Sequence, residues 1–393
     1  MKKIVIMVSF SLTLPFLIGV GGWPTTWLTP VQAVQRPKPG QPTQPGQPSR
    51  SRDLVIGGQP MGIVAADFNN DGIPEVAVAD QSNNVVVVAL NNRGAQLHRP
   101  RSFAVNRGPA AVVAADFNLD GKLDLGVANS YSDDVSVLIG EGDGTFAPAR
   151  HYPVGATPTA IVAADFNHDG LPDVATCDQV SDSVSVLVNK DKGETFVRTV
   201  YHVGNGPTDL VAADFNNDDR TDIAVANQFS GDVTILRIIA FPVARTDTVH
   251  AGGTNPFSIV SADFDLDGRA DLAVGNQGSG LVSILLNSTS GRLVPRPALP
   301  VPSGIMNVHS ADCNNDRRSD LVVGSYLASS ISTHWGRGDG TFAGPHTQSA
   351  GGRVRGLDMA DFNQDGVMDI AVTKPDTGVV SVLLMAGNGS TLK

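Results

Sequence analysis

One motif recurs along the chain at a fixed spacing and constrains the fold more than any other feature. The string Ala-Asp-Phe-Asn-x-Asp-Gly, with small variations, occurs seven times, and successive leading aspartates are always 49 residues apart. Repeats of about 20–50 residues are typical of solenoids and propellers, in which each copy is one supersecondary unit. Seven copies fill the chain from Ser51 to Lys393. The leading aspartates are Asp67, Asp116, Asp165, Asp214, Asp263, Asp312 and Asp361.

The second copy shows what one repeat contains. Its apolar runs predict four strands, at Ala111–Phe117, Leu123–Asn129, Asp134–Gly140 and Phe146–Val154. Four strands in about 40–50 residues make one propeller blade. The 42 glycines and 25 prolines also favour a chain of strands and turns. We therefore predict an all-β fold, a seven-bladed β-propeller with four-stranded antiparallel blades.

The two ends of the repeat region complement each other. The last copy stops after its third strand, Val379–Met385, and lacks a fourth. The segment Arg52–Gly57 aligns with Arg150–Gly155, a fourth strand in the second copy. We expect the N-terminal strand to complete the last blade and close the ring, which removes two exposed sheet edges. An open solenoid is the alternative, but it would need capping repeats, and none is visible.

The amino terminus has the features of a secretory signal peptide, predicted at residues 1–33. Lys2 and Lys3 precede the apolar run Ile4–Gly22, and small residues flank a cleavage site after Ala33. An uncleaved membrane anchor is the alternative. Residues 34–50 form a Pro/Gln-rich linker, and residues 51–393 form the propeller. We expect a secreted protein, extracellular or periplasmic, with no membrane span in its mature chain.

Each copy carries the acidic loop D-x-[DN]-x-D-x-x-x-[DE] between its first two strands. Ca²⁺ takes about six to eight oxygen ligands. Positions 1, 3, 5 and 9 of the loop offer side-chain oxygens, and position 7 offers a backbone carbonyl. The loop is not an EF-hand, because its twelfth position is an apolar strand residue such as Val78. We predict up to seven Ca²⁺ ions; the alternative is a set of Asx-turns without metal.

The predicted metal ligands follow the same five positions in every copy. They are Asp67, Asn69, Asp71, Ile73 and Glu75; Asp116, Asn118, Asp120, Lys122 and Asp124; Asp165, Asn167, Asp169, Leu171 and Asp173; Asp214, Asn216, Asp218, Arg220 and Asp222; Asp263, Asp265, Asp267, Arg269 and Asp271; Asp312, Asn314, Asp316, Arg318 and Asp320; and Asp361, Asn363, Asp365, Val367 and Asp369.

Position 6 of the loop is glycine in five copies, which suits a turn with positive φ. The fourth copy has Asp219 there and the sixth has Arg317. Arginine tolerates positive φ poorly and places a cation beside the carboxylates. We expect the sixth site to bind calcium most weakly. The fifth, whose positions 1, 3, 5 and 9 are all aspartate, should bind it most tightly.

The pattern DFNxDGxxDxAVAN…VSVLL…GDGTF resembles the FG-GAP/VCBS repeats of the integrin α-subunit N-terminal propeller and its bacterial relatives. The resemblance covers residues 51–393. The literal FG and GAP strings are absent, so the VCBS variety is the closer match. The resemblance implies calcium in the loop between strands one and two. It also implies a ligand on the opposite face. That face is built by the loops between strands two and three (2–3 loops) and by those between strand four and the first strand of the next blade (4–1 loops). The resemblance does not imply one function, since such propellers serve as adhesion domains, lectins, scaffolds and enzymes.

A polar residue lies thirteen residues after each leading aspartate, where the second strand meets the 2–3 loop, and the seven together form a polar ring. Each member either caps a turn or contributes to a rim that contacts a ligand. We name them as candidate ligand-binding residues: Asp80, Asn129, Asp178, Asn227, Asn276, Ser325 and Lys374.

Several function classes are disfavoured. A formal net charge of −11 argues against nucleic acid as a partner. Cys177 and Cys313 fall three blades apart and form no CxxC motif, so we expect free thiols and no zinc site. The eight histidines form no recognisable triad with a serine or cysteine. Arg337-Gly338-Asp339 spells an integrin-recognition tripeptide, but the second copy has Gly-Asp-Gly at the same place, which is typical of a turn.

We therefore expect a monomeric, non-enzymatic protein-interaction or adhesion module, with structural calcium and an extracellular protein or glycan as its partner. A glycan-binding lectin is the alternative. Sugar pockets usually need an aromatic platform in each blade, and Trp335 is the only tryptophan outside the predicted signal peptide. A carbohydrate-active enzyme on the same fold is a third hypothesis.

Overall fold

The described residues form a ring of small antiparallel sheets. A computed structural model describes residues 9–10 and 48–385, and every named element among them is a β-strand. There are seven sheets, one for each copy of the repeat. The innermost strand of each sheet packs against the innermost strand of the next, and the seventh sheet packs against the first. This is the predicted seven-bladed propeller.

Each blade is assembled from strands in chain order, innermost first. Blade 1 comprises Pro60–Ala66, Glu75–Asp80, Val85–Leu90 and His98–Ala104; blade 2, Pro109–Ala115, Asp124–Asn129, Asp134–Leu138 and Arg150–Pro153; and blade 3, Pro158–Ala164, Asp173–Asp178, Ser183–Asn189 and Phe196–His202. Blade 4 comprises Pro207–Ala213, Asp222–Asn227, Asp232–Ala240 and Val243–His250; and blade 5, Pro256–Ala262, Asp271–Asn276, Leu281–Asn287 and an outer strand split into Leu293–Pro295 and Leu299–Pro300. Blade 6 comprises Ile305–Ala311, Asp320–Ser325, Ser330–Gly336 and Phe342–Ser349; and blade 7, Leu357–Ala360, Asp369–Lys374, Val379–Met385 and Pro48–Val55.

The hydrophobic core lies between blades. The second strand of every blade is fully buried, since both of its faces are covered by neighbouring sheets. Small residues such as Ala160 and Ala175 let the sheets approach closely, and Leu210 and Leu236 of the next blade fill the space between them. The phenylalanine that follows the leading aspartate is buried in six copies. Each blade therefore depends on its neighbours for stability.

The fourth strand of blade 7 comes from the beginning of the repeat region. Pro48–Val55 pairs antiparallel with Val379–Met385, with Arg52 opposite Val382. Blade 7 then packs on blade 1, where Asp358 accepts a hydrogen bond from the Ala65 N–H at 2.8 Å. This strand begins at Pro48, three residues before the predicted start of the propeller at Ser51.

Two details of the expected strands are wrong. The fourth strand of blade 2 begins at Arg150, because Gly140 and Phe146 form only an isolated bridge after the hairpin turn. Blade 5 has no continuous outer strand. Most of the predicted signal peptide and linker lies outside the described residues; Ser9–Phe10 pairs with Ile161 and Ala160.

Because the strands alternate in direction, the 1–2 loops and 3–4 turns lie on one side of the ring, which we call the acidic-loop face. The 2–3 and 4–1 loops lie on the opposite face. Both cysteines are buried and unpaired, as predicted. Cys313 takes the place of the buried phenylalanine in blade 6.

Candidate metal centre

The seven acidic loops share one network of hydrogen bonds. In every loop the aspartate at position 1 accepts bonds from the N–H groups of positions 5 and 6, at 3.0–3.2 Å and 2.7–2.9 Å. The aspartate at position 5 accepts one from position 7, at 2.9–3.0 Å. These are Asx-turn bonds, and they also hold two carboxylates of each loop in place.

Two residues in each loop have a left-handed backbone. Position 6 has positive φ in all seven loops, as predicted, including 62° at Asp219 and 65° at Arg317. Position 4 also has positive φ, between 59° and 64°. The repeat pattern does not predict this second left-handed residue, because position 4 holds residues as different as Leu119, His168 and Gln364. The loop conformation therefore survives substitution at both positions.

The carboxylates at position 9 are buried beneath the loops. In blade 3, Asp173 accepts hydrogen bonds from the backbone N–H groups of Phe166, at 3.0 Å, and Asn189, at 2.8 Å. Every other blade repeats this pair of bonds. Position 9 therefore ties the ends of the first and third strands together, a role that its place in the motif did not predict.

Burial makes these carboxylates unfavourable as anions. It raises the pKa of Asp173 to about 7 against the opposing effect of its two hydrogen bonds, and repulsion from Asp169 and Asp165 adds to the rise. The same causes raise the pKa of Asp124 to about 7. A bound divalent cation would offset both burial and repulsion.

The fifth loop fits a hard cation most clearly. Carboxylate oxygens of Asp263, Asp265 and Asp267 lie within 4.8 Å of one another. The Oδ1 atom of Asp265 is buried and has no hydrogen-bond partner, and the Oδ1 atom of Asn216 is in the same state in the fourth loop. An unpaired buried oxygen is costly in a folded protein. Since converging carboxylate and amide oxygens are the ligands that Ca²⁺ prefers, the residues fit the predicted ion.

Some loops already contain a counter-charge that the sequence pattern did not reveal. At position 7 of the fifth loop, Arg269 forms an ion pair with Asp267 and donates to the Asn287 carbonyl at 2.9 Å. Lys122 lies 3.6 Å from Asp120 in the second loop. Arg269 therefore competes with a metal ion for one carboxylate of the loop with the most aspartates.

Three pairs of neighbouring loops are hydrogen-bonded through position 4. Asn315 donates to the carbonyl of Gly366 at 2.7 Å, and Gln364 donates to that of Gly72 at 2.8 Å. The His168 ring lies 2.5 Å from the carbonyl oxygen of Asp219. In each pair the acceptor is position 6 of the next loop, so these loops are not independent of one another.

The predicted polar ring is buried and not exposed at a rim. Asn129 donates to Asp134 at 2.7 Å and to Ser136 at 2.8 Å, and Asp80 accepts from the Gln59 N–H at 2.9 Å. The exposed fraction is 4% or less at all seven positions. This geometry favours the turn-cap interpretation. The seven members are Asp80, Asn129, Asp178, Asn227, Asn276, Ser325 and Lys374.

Two residues farther along the 2–3 loop, four of the seven blades expose an apolar side chain on the opposite face, including Leu327 of blade 6, which is 68% exposed. Tyr131, Val180 and Phe229 occupy this position in blades 2, 3 and 4, with exposed fractions of 53%, 68% and 67%. We call these three residues the apolar patch. A Cβ atom at Gly206 would lie 2.3 Å from the Phe229 ring, so glycine lets the ring lie against the backbone. The 49-residue register could have predicted the patch, because each of its residues lies two positions after a member of the polar ring.

The Arg-Gly-Asp tripeptide lies in a 3–4 turn on the acidic-loop face. Asp339 accepts hydrogen bonds from the N–H and hydroxyl of Thr341, at 2.9 and 2.6 Å. Asp143 makes the corresponding bonds to Thr145 in blade 2. The aspartate therefore has the turn role that the sequence comparison between copies predicts.

Solved structures with the same architecture differ widely in function. The BBS1N chain of a complex with ARL6DN is 12% identical, with a TM-score of 0.64 over 88% of this chain and 99% of that one. Virginiamycin B lyase from Staphylococcus aureus is 12% identical, with a TM-score of 0.58 over 86% and 99%. An Agrocybe aegerita lectin that recognises non-reducing terminal N-acetylglucosamine is 16% identical, with a TM-score of 0.53 over 82% and 87%. At such identities the likeness shows the fold alone.

A search of curated protein sequences found no match. A family model described as FG-GAP-like repeat matches residues 67–127, 116–176, 263–323 and 312–372. Each match runs from the acidic loop of one copy to the second strand of the next. Together the matches cover more than half of the chain and include six of the seven loops. The chain belongs to the family of FG-GAP-like repeat proteins.

Proposed function

We propose that this chain is a secreted, calcium-stabilised propeller that acts as a protein-interaction or adhesion module and not as an enzyme. The observation that carries the binding role is the apolar patch on the opposite face. Three consecutive blades, 2 to 4, expose a large apolar residue at one register. Blade 6 also exposes Leu327 there, whereas blades 1, 5 and 7 have Ser82, Gly278 and Asp376. Exposed apolar side chains grouped on one face of a soluble protein often mark an interaction site.

The form of the patch supports protein binding. Tyr131 and Phe229 lie against Gly108 and Gly206, where a Cβ would be 2.4 and 2.3 Å from the rings. Rings held in this way lose little conformational entropy when a partner covers them. Aromatic residues are also enriched among the residues that dominate binding energy at interfaces. The patch is therefore ready to bind without rearrangement.

Calcium has a structural role in this proposal. The ions would bind to positions 1, 3, 5 and 9 and to the carbonyl of position 7, and they would supply positive charge among converging carboxylates. A ligand bound only by the folded state, at a hundredfold excess over its Kd, stabilises that state by about 2.7 kcal/mol. Extracellular calcium modules typically bind at about 10⁻⁴–10⁻³ M. Millimolar calcium would then stabilise every blade at its acidic-loop face.

The lectin alternative receives no specific support from the side chains. Trp335 packs against the core between blades 6 and 7, with its ring 5.7 Å from that of His346. It therefore offers no open platform for a sugar ring. The enzyme hypothesis receives no support from a catalytic triad among the described residues. Ser136 and His151 lie 2.9 Å apart, but no carboxylate in that part of the chain is hydrogen-bonded to the other ring nitrogen of His151.

Two experiments test the proposal, one for each role. Calorimetric melts in millimolar calcium and in excess EDTA test the calcium role, and equal melting temperatures would refute it. Pull-down from solubilised surface proteins tests the binding role with wild type and with Phe229→Ser. Leu266→Ser is the matched control, because Leu266 is 56% exposed on the acidic-loop face. Equal capture by wild type and Phe229→Ser would show that the patch does not bind the partner.

A further inference from the structure

A groove opens at the outer edge of the propeller between blades 4 and 5. It encloses about 810 Å³. Side chains of the two outer strands of blade 4, including Arg237, Arg245 and Val249, line one wall. The 3–4 hairpin of blade 5, from Ser290 to Pro295, lines the other. The groove therefore lies on the circumference and reaches the acidic-loop face, where Asn216 of the fourth acidic loop also lines it; it is separate from the apolar patch on the opposite face.

The groove is formed where the chain departs from its own repeat. Arg237 is the only charged residue at its register, since the other six copies have Leu90, Ile139, Val188, Leu286, Trp335 and Leu384. Its guanidinium pairs with Asp247 at 2.8 Å and donates to the carbonyls of Phe215, at 3.0 Å, and Gly291, at 2.5 Å. Arg237 thereby joins blade 4 to blade 5 and fixes the floor of the groove.

The wall of the groove carries an excess of positive charge in a protein whose net charge is −11. Asp247 is shared between Arg237 and Arg245, whose Nε lies 3.0 Å from it. The Arg245 side chain is nevertheless 70% exposed, and Arg292 is exposed on the facing hairpin. Guanidinium groups on two sides of a groove suit carboxylates, which they bind with paired hydrogen bonds.

Backbone groups are available beside these charges. The outer strand Val243–His250 is the last strand of its sheet, and no other described strand pairs with its outer edge. An extended peptide can add to such an edge through main-chain hydrogen bonds. The groove also offers apolar surface at Ile239, which is 56% exposed, and at Leu293. No Phe, Tyr or Trp is among the described lining residues, which disfavours a sugar ring as the ligand.

We propose that this groove binds an extended peptide segment of a partner protein, with acidic side chains held by Arg245 and Arg292. The inference rests on the proposed role in protein interaction, but it uses a different surface from the apolar patch. Mutations in the groove and in the apolar patch should therefore have independent effects on binding.

The test uses the full chain in millimolar calcium and a fluorescein-labelled peptide of alternating glutamate and valine, equal in length to Val243–His250. Fluorescence anisotropy should show binding that weakens with salt. Arg245→Glu and Arg292→Glu should each weaken it by about tenfold, since like charges would then face each other. Arg101→Glu, at an exposed site on the outer strand of blade 1, is the matched control and should change it less than about twofold. Hydrogen exchange should slow at the amides of Val243–His250.

Other outcomes overturn the proposal. Equal binding of a lysine–valine peptide, unchanged binding by both charge-reversal variants, or no binding of the glutamate peptide would each do so. Binding of a heparin-derived oligosaccharide in place of the peptide would show that the ligand class is wrong. Phe229→Ser separates this test from that of the proposed function, because it should abolish capture at the patch and leave peptide binding intact.

Discussion

Replacing Arg317 by glycine tests the two effects of the position-6 residue on a calcium loop, and melts in EDTA and in calcium distinguish them. Arg317 has φ of 65° and donates its N–H to Asp312 at 2.7 Å, as glycine does in five other loops. It therefore adopts a left-handed backbone, which costs an ordinary residue about 1–2 kcal/mol. It also places a positive charge beside the carboxylates of the sixth loop. Arg317→Gly removes both effects at once.

The expected gain is small and measurable. Relief of the left-handed strain is partly offset by the greater freedom of glycine in the unfolded chain, about 0.4–1 kcal/mol. The net stabilisation in EDTA should be about 0.5–1 kcal/mol, or roughly 1 °C in Tm for a two-state unit of this length. Loss of the arginine charge should also tighten calcium binding by about two- to fivefold, the range of exposed charge pairs. The gain in Tm should therefore be larger in calcium than in EDTA.

Asp219→Gly is the matched control, because Asp219 has φ of 62° at the same position of the fourth loop. It relieves less strain, because aspartate adopts positive φ more readily than arginine, and it removes a negative charge in place of a positive one. Its gain should therefore be smaller than that of Arg317→Gly, and smaller in calcium than in EDTA. Scanning calorimetry in both conditions checks this. The reasoning fails if neither variant is stabilised in EDTA. It also fails if calcium changes the two gains in the same direction.

Three further results are expected. Deleting residues 48–55 removes the strand paired with Val379–Met385 and should lower Tm by several degrees in calorimetry, whereas deleting residues 34–47 should not. Burial raises the pKa of Asp209 well above 3.8. As pH rises above that value, the carboxyl ionises first in the unfolded state, so wild type loses stability that Asp209→Asn keeps, and the difference in Tm between them should grow with rising pH. Cys177 and Cys313 are buried free thiols, so a thiol reagent should label them only after denaturation, and a bridge in a non-reducing mass spectrum would contradict this.

The architecture could be predicted because the repeat over-determines it. Seven copies in register left little freedom in the number of blades, and the alignment of Arg52–Gly57 with the fourth strand of the second copy indicated which segment would complete the last sheet. The loop conformation was also predictable at position 6, where glycine marks positive φ. Position 4 was not, because Leu119 and His168 adopt φ of 59° and 64° under the constraint of the surrounding hydrogen bonds.

The roles of individual polar residues were harder to predict, because motif spacing does not reveal burial. Asp173 was expected only as a metal ligand, yet it accepts two backbone hydrogen bonds beneath its loop. Asn129 was a candidate for ligand contact, yet it is 0% exposed. The ion pair between Arg269 and Asp267 was missed for the same reason. Spacing along the chain places a residue at a register, and only the packing of neighbouring blades decides what its side chain meets.

Internal repetition supplies a control that most single sequences lack. The first three strands and the acidic loop have the same arrangement in all seven copies, so a residue in them that differs from its six counterparts is not required by the shared architecture. Arg237 is such a residue, because every other blade has an aliphatic or tryptophan side chain at the same register. The fold could have used leucine there without a buried charge to neutralise. Its presence, with Asp247 and Arg245 beside it, is best explained by a requirement at the surface of blades 4 and 5, and blade 4 also carries Phe229 of the apolar patch.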